Sequence, residues 1–263
     1  MKISVIGAGA MGGAMVHGML KGSTFANADI TVADPSAKAL EQLEETGATV
    51  TTDNVLAAKV SDIVAVVVKP WLVESVLKDI KQSLDYNRQL LIVVAAGVSS
   101  AQIKEWLDKG DGTMIPLFLV IPNTAIAVMN SMTFVVPVGA SEEQTATVKA
   151  MFDEMGSTLI TEERLLAAGT TLASCGIAYA MRYVRAASEG GVEIGFKADE
   201  AKAIVLQTVK GAVELLQANG NHPEAEIDKV TTPGGVTIKG LNEMEHAGFT
   251  SAVIRGLKAG MKS

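Results

Sequence analysis

Three glycines close to the start of the chain have a spacing that suits the binding of a pyrophosphate. Residues 7–12 read GxGxxG and stand between an apolar strand pattern and the first helix pattern. Gly7 permits a tight turn, Gly9 lets a ligand approach the backbone, and Gly12 allows close packing of helix on strand. The helix start would add unpaired N–H groups and a positive dipole end. A glycine-rich turn without a nucleotide is the alternative, but the strand–loop–helix context favours dinucleotide binding.

An acidic residue follows the second strand pattern. Asp34 could accept hydrogen bonds from an adenosine ribose and repel a 2′-phosphate, which favours NADH over NADPH. A turn aspartate before Pro35 is the alternative. No arginine or lysine follows before Lys38. We therefore expect NADPH or NADH as the cofactor, with this residue favouring NADH.

Three later strand patterns also end in residues suited to a ligand, since ligands of open α/β sheets bind beyond the carboxyl ends of the strands. Lys69, followed by Pro70, could face cofactor phosphates or an anionic substrate, or simply be solvated. Ala96 and Gly97 are small enough to leave room for a nicotinamide ring. Asn123 could hydrogen-bond a carboxamide or make a turn.

A second glycine segment opens a helix pattern near the end of the chain. Residues 230–237 read VTTPGGVT. Backbone N–H groups, a helix dipole and threonine hydroxyls could together hold a small carboxylate. A plain helix start with Thr237 as N-cap explains the same residues. The pattern leaves both interpretations open.

Other catalytic arrangements are not supported by the residue types present. His17, His222 and His246 lack metal-ligand spacing, and Cys175 is the one thiol, so we expect no metal site. Cys175 lies in an uncharged helical pattern, which favours an inert buried thiol over a nucleophile. A single cysteine excludes a disulfide framework and favours a reducing compartment.

The elements that must position these residues follow from the hydrophobic pattern. The first part predicts strands over residues 2–6, 30–33, 63–68, 90–95, 114–121 and 133–137, and helices over residues 11–20, 36–45, 72–83, 99–108 and 142–154. Continuously apolar strands indicate a parallel sheet with helices on both faces. From about residue 161 only helices are predicted, over residues 164–188, 197–219, 237–246 and 250–261. We predict an α/β protein with a Rossmann-like doubly wound domain over residues 1–160 and an all-helical domain over residues 161–263.

Composition excludes several classes of protein. The 263 residues are 48% hydrophobic and 19% charged, which excludes a disordered chain. A net charge of −7 without a basic run argues against nucleic acid as a partner. No segment is long and apolar enough to span a membrane, and the start lacks a signal-peptide pattern, so we expect a cytoplasmic protein. Helices that are apolar on most faces indicate that the helical part forms an oligomer interface.

Several motifs together resemble the pyrroline-5-carboxylate reductase family over nearly the whole chain. Besides the glycine loop they are residues 68–70 (VKP), 95–98 (AAGV), 122–124 (PNT), 178–179 (AY), 222–223 (HP) and 231–238 (TTPGGVTI). The resemblance implies hydride transfer from NADPH or NADH to the imine carbon of (S)-1-pyrroline-5-carboxylate, the carbon that becomes C5 of the product L-proline. It also implies an N-terminal dinucleotide domain, a C-terminal helical dimerisation domain and a homodimer, with a decamer built from such dimers as the larger alternative.

The resemblance also implies roles for individual residues. The loop at residues 6–11 would hold the pyrophosphate, and Asn54 would contact the adenosine side. Val68 would lie along the cofactor toward the nicotinamide. With the residues singled out above, the candidate cofactor site is Ile6, Gly7, Ala8, Gly9, Ala10, Met11, Gly12, Asp34, Asn54, Val68, Lys69, Pro70, Ala96 and Gly97. The candidate substrate site is Glu163, Gly234, Gly235, Val236 and Thr237. Thr237 is the candidate catalytic residue, hydrogen-bonding the ring nitrogen directly or through water.

The chain departs from the family pattern at four places. Residues 173–177 replace a Ser-Gly-Ser-rich stretch and a proline, Ala125 replaces a proline, Leu119 an arginine, and Val236 a threonine or alanine. These departures leave two alternatives: a reductase of another small cyclic imine, and a non-catalytic NAD(P)-binding regulator. A β-hydroxyacid dehydrogenase would need a lysine on the first long C-terminal helix, and residues 164–188 contain none.

Overall fold

The computed structural model describes residues 1–262 and divides the chain into two compact units. The first, Met1–Ile177, contains the sheet, and the second, from Ala178 onward, is helical. The segment just after residue 160 belongs to the first unit because Glu163 binds Ser100 and Ser174 binds Pro122. The domain boundary at residue 160 stays a prediction.

The elements follow one another in strand–helix alternation. The strands are β1 (Ile3–Ile6), β2 (Ile30–Ala33), β3 (Thr49–Thr51), β4 (Ile63–Val66), β5 (Leu90–Val93), β6 (Leu117–Ile121), β7 (Ser131–Val138) and β8 (Gly156–Ile160). The helices that begin in the first unit are α1 (Ala10–Met19), α2 (Ala37–Glu44), α3 (Asn54–Lys59), α4 (Pro70–Ile80), α5 (Ser100–Leu107), α6 (Glu142–Asp153), α7 (Leu166–Gly169) and α8 (Gly176–Glu193). The others are α9 (Ala198–Asn219), α10 (Pro223–Lys229), α11 (Val236–His246) and α12 (Phe249–Ala259).

All eight strands form one sheet in the order β3-β2-β1-β4-β5-β6-β7-β8. Neighbouring strands are parallel, as predicted, except for β6 and β7, which pair antiparallel. The short 3₁₀ segment Thr124–Val128 connects these two, and it is too short for the crossover that a parallel pair requires. The order reverses between β1 and β4, which is the doubly wound arrangement predicted from the sequence.

Helices cover both faces of the sheet. On one face Val5 of β1 packs in a core with Met15 of α1 and Phe152 of α6. On the other, Val66 of β4 packs in a core with Leu77 of α4. Strands β1, β4 and β5 are buried along their whole length, which explains why β4 and β5 are continuously apolar.

The single helix predicted over residues 164–188 is wrong, because the chain there is interrupted. A 3₁₀ turn, Glu163–Leu165, leads into α7, and a π-helical turn, Thr170–Ser174, precedes α8. Within that turn the Cys175 N–H donates to the Thr170 carbonyl at 2.9 Å, one residue beyond the α-helical partner. The turn overlaps the stretch that departs from the family pattern.

The helical unit buries very little of itself. Among its described residues only Ala201 is buried, whereas large apolar side chains such as Ile194, Leu215 and Ile254 are exposed. Exposed apolar surface on this scale indicates an interaction with another protein surface. Among residues 1–262, no helix has the length and apolar character needed to cross a membrane.

Candidate active site

The glycine loop closes against the ends of β2 and β4. The Gly7 N–H donates to the Ala33 carbonyl at 2.7 Å. Gly7 has φ +110°, and a Cβ there would lie 2.2 Å from the Val67 carbonyl oxygen. A Cβ on Gly12 would lie 1.8 Å from the carbonyl oxygen of Gly7. Only glycine fits at these two positions, for the reasons expected from the motif.

Gly9 is different, because the protein itself does not require a glycine there. Apart from Gly9 itself and its two chain neighbours, no atom lies within 4 Å of the position that a Cβ would take. Gly9 is the N-cap of α1, and no side chain caps that helix. The open space and the uncapped helix start fit a bound pyrophosphate, which needs close approach to the backbone.

The residues expected on the adenosine side lie at the same edge of the sheet. The Asp34 carboxylate accepts from the Ala8 N–H at 2.8 Å and the Ser36 N–H at 2.9 Å, so it orders the glycine loop. Asn54 begins α3, but Asp53 caps that helix. The buried amide oxygen of Asn54 has no hydrogen-bond partner in residues 1–262. Because buried acceptors are almost always paired, this oxygen fits a ligand hydroxyl.

The ends of β4 and β5 present a free cation and an open loop. Lys69 is exposed at the N-cap of α4 and forms no ion pair among residues 1–262. Its neighbour Trp71 is 76% exposed in the first turn of α4. Beyond β5, Ala96 and Gly97 are exposed, and Gly97 has φ +80° with open space around it.

Two other candidates, Asn123 and Glu163, are hydrogen-bonded to other residues of the first unit. The Asn123 amide oxygen accepts from the Ala125 N–H at 3.0 Å and caps the 3₁₀ segment, which confirms the turn interpretation for that oxygen. Both carboxylate oxygens of Glu163 accept hydrogen bonds from Ser100, at 2.8 and 2.5 Å. Sequence reasoning did not single out Ser100 as a site residue, because its contact with Glu163 joins segments that lie 63 residues apart.

The second glycine segment forms a turn that leads into α11. Gly234 has φ +71°, and the Gly235 N–H donates to the Thr232 carbonyl at 3.0 Å, which is a β-turn with Pro233 and Gly234 at its centre. The N-cap of α11 is Gly235, so the alternative with Thr237 as N-cap is wrong.

The start of α11 is open to a ligand. Val236 is 85% exposed, and no side chain caps the helix. Thr237 is half-buried, and within the described residues its hydroxyl has no hydrogen-bond partner. Free N–H groups, the helix dipole and this hydroxyl suit a small carboxylate with a polar neighbour. Three or more histidine, cysteine or acidic side chains placed to hold a metal ion are not found in residues 1–262.

Comparison with known proteins gives consistent similarities. The family model described as "Pyrroline-5-carboxylate reductase dimerisation" matches residues 163–263, and "NADP oxidoreductase coenzyme F420-dependent" matches residues 2–97. Pyrroline-5-carboxylate reductase 1 of Dictyostelium discoideum is 38% identical over 97% of this chain, which spans 48% of that protein. Pyrroline-5-carboxylate reductase 2 of the same organism is 34% identical over 97% of this chain and 89% of its own length.

A solved structure is similar over the full chain. The crystal structure of a Plasmodium falciparum pyrroline carboxylate reductase with NADP bound matches with a TM-score of 0.90 at 25% identity. The match covers 100% of this chain and 96% of that one. The similarity therefore includes both the sheet unit and the helical unit.

Proposed function

The chain belongs to the pyrroline-5-carboxylate reductase family, and on that premise we propose that it reduces (S)-1-pyrroline-5-carboxylate to L-proline with NADPH or NADH. Dinucleotide binding is common to many oxidoreductases, so the glycine loop alone does not identify the substrate. The observation that carries the proposal is the uncapped start of α11 behind the Pro-Gly-Gly turn, a ready site for a carboxylate.

The first unit supplies the cofactor site. The proposed contacts are Ile6, Gly7, Ala8, Gly9, Ala10, Met11, Gly12, Asp34, Asn54, Val68, Lys69, Pro70, Ala96 and Gly97. Support comes from the open space at Gly9, the unpaired amide oxygen of Asn54 and the free ammonium of Lys69. The Asp34 charge disfavours a 2′-phosphate, so we expect NADH to be the better substrate.

The helical unit supplies the substrate groups. We place the imine carboxylate against the N–H groups of Val236 and Thr237, next to Gly234 and Gly235. The Thr237 hydroxyl then hydrogen-bonds the ring nitrogen of the protonated imine and fixes the face of the ring. When bound, the reduced nicotinamide would supply a hydride to the imine carbon, which is C2 of the pyrroline ring and becomes C5 of proline, so that the C=N double bond becomes a C–N single bond. The chain contributes orientation and charge stabilisation rather than a nucleophile.

The family's dimerisation model covers the helical unit, so the protein is a homo-oligomer. We propose a homodimer as the basic unit, with a decamer of such dimers as the larger assembly. We also propose a cytoplasmic location, in keeping with the single cysteine.

The test is oxidation of NADH and NADPH in the presence of pyrroline-5-carboxylate, piperideine-6-carboxylate, or no imine. We expect turnover with the five-membered imine and a higher kcat/KM with NADH. Turnover with the six-membered imine alone would assign the protein to another cyclic imine. Cofactor binding without any turnover would favour the non-catalytic regulator.

A further inference from the structure

A carboxylate from the segment after β8 holds the start of α5. Ser100, the first residue of α5, donates its N–H to Glu163 Oε1 at 2.8 Å and its hydroxyl to Oε2 at 2.5 Å. Both oxygens of one half-buried carboxylate thus bind one residue that lies 63 positions earlier in the chain. The positive end of the α5 dipole adds to this attraction.

The β5–α5 loop, residues 94–99, is fixed at its ends and open in its middle. Ala95 and Val98 pack against the core on the α4 side of the sheet. Ser99 caps α5 and shares a capping box with Gln102. Between these anchors lie Ala96 and Gly97, which are exposed at the carboxyl edge of the sheet. The Glu163–Ser100 contact therefore connects the segment after β8 to the start of α5, the helix that follows this loop.

We propose that Glu163 is a positioning residue for the nicotinamide half of the cofactor, acting through Ser100 on the loop that carries Ala96 and Gly97. The inference rests on the proposed function, because it places the nicotinamide against this loop. It differs from direct contact with the substrate, which the resemblance implies for Glu163. The two carboxylate oxygens are already hydrogen-bonded to Ser100, in the charge-assisted geometry that is strongest.

The consequence is a selective effect on one half of the cofactor. Without the carboxylate, two donors at the start of α5 lose their partner, and the loop has more conformations to lose when the nicotinamide binds. ADP-ribose contains the adenosine and pyrophosphate parts but no nicotinamide. Its binding uses the glycine loop and the end of β2, and so does not depend on the β5–α5 loop.

The experiment compares Glu163→Ala, Ser100→Ala and the double variant with the wild-type protein. Calorimetry gives Kd for NADH and for ADP-ribose, and steady-state kinetics give kcat and KM for the imine. We expect Glu163→Ala to raise the Kd for NADH by about fivefold, leave the Kd for ADP-ribose unchanged and lower kcat with little change in imine KM. The double variant should be no worse than Glu163→Ala, because both changes break the same contact.

Glu162→Ala is the matched control. Glu162 is the neighbouring exposed glutamate, and its carboxylate pairs with Arg164 at 2.5 Å, so its loss should leave both Kd values unchanged. Equal weakening of NADH and ADP-ribose in Glu163→Ala would overturn the proposal, since it would mean a general loss of structure. An unchanged Kd for NADH with a raised imine KM would also overturn it, in favour of direct substrate contact.

The two nucleotide affinities are measured without an imine, so they separate this inference from the proposed reaction. A wild-type protein that binds NADH but reduces no imine would contradict the reductase activity, while the NADH to ADP-ribose comparison would still decide the role of Glu163. A wild-type protein that binds neither nucleotide would overturn both.

Discussion

The glycines of the first loop are subject to different constraints, which a pair of substitutions separates. A methyl group on Gly9 meets no protein atom within 4 Å, whereas one on Gly12 would lie 1.8 Å from the Gly7 oxygen. We expect Gly9→Ala to keep the stability of the wild type but weaken cofactor binding at least about tenfold, by blocking the pyrophosphate. Gly12→Ala should lose both cofactor binding and thermal stability. Calorimetric Kd values and melting temperatures check the pair; an unchanged cofactor Kd in Gly9→Ala would contradict the placement of the pyrophosphate.

Thr237 is the residue on which the proposed chemistry depends most. Its hydroxyl has no partner in the described part of the chain, so removing it should cost little stability. We expect Thr237→Ala to lower kcat/KM at least tenfold, which is about 1.4 kcal/mol of transition-state stabilisation. Thr208→Ala is the control, because the Thr208 hydroxyl only bonds the Ile204 carbonyl on α9. Unchanged kinetics in Thr237→Ala would remove this hydroxyl from the mechanism.

At the residue scale, the sequence allowed the roles of Gly7 and Gly12 to be predicted because a spacing motif encodes local backbone geometry. It did not allow the Ser100–Glu163 contact to be predicted, since hydrogen bonds between distant segments depend on the packed fold. The same holds for the unpaired amide oxygen of Asn54, which is visible only once burial is known.

At the scale of elements, one carboxylate connects the loop after α1 to the end of α6. Glu154, the C-cap of α6, accepts from the Ser23 hydroxyl at 2.5 Å and from the amides of Ser23 and Thr24 at 3.1 Å. The Ser23 hydroxyl is the main reason that the pKa of Glu154 lies below its ordinary value of 4.5, with the Thr24 contacts adding to it. The Glu154 carboxylate and its contacts with Ser23 and Thr24 thus form a clasp between the two segments.

This clasp should make stability depend on pH. Because the pKa of Glu154 is lower in the folded state, its contribution is complete above the unfolded pKa and is lost as the pH falls through the folded one. We expect Glu154→Gln to lower the melting temperature at pH 6 and the difference from wild type to shrink below about pH 4.5. Glu44→Gln, at the exposed end of α2, is the control and should change little at either pH. A difference that stays constant down to pH 3 would show that the carboxylate charge is not what matters.

The hydrophobic pattern predicted the long elements and missed the short ones. Strands β1, β2, β4 and β5 are fully buried; β4 and β5 are apolar throughout, and β1 and β2 are apolar except for Ser4 and Thr31, so their sequences are distinctive. β3 has only three residues, and β8 alternates between exposed and half-buried positions, so neither forms an apolar run. The π-helical turn leaves no mark in an apolar pattern, because it changes one hydrogen-bond partner rather than the residue types.

At the scale of the whole molecule, the helical unit should exist only in an assembly. Phe249 and Val253 lie one turn apart on α12 and are exposed. We expect light scattering at micromolar concentration to show at least a dimer, and Val253→Glu to weaken it by placing a charge in an apolar contact. Arg255→Glu, on another side of α12, should leave the assembly intact. A monomeric wild type would contradict the role of this unit in dimerisation.

The two tryptophans of the chain, Trp71 and Trp106, both lie in the sheet unit, and the helical unit has none. Trp71 is exposed two residues after Lys69, at the edge of the sheet where we place the cofactor. Tryptophan emits light in the range that reduced nicotinamide absorbs. The chain therefore carries its own energy-transfer donor, and NADH arriving at the sheet edge should quench its emission without any added label. Trp106, half-buried on α5, supplies a second donor on the helix whose start Glu163 holds.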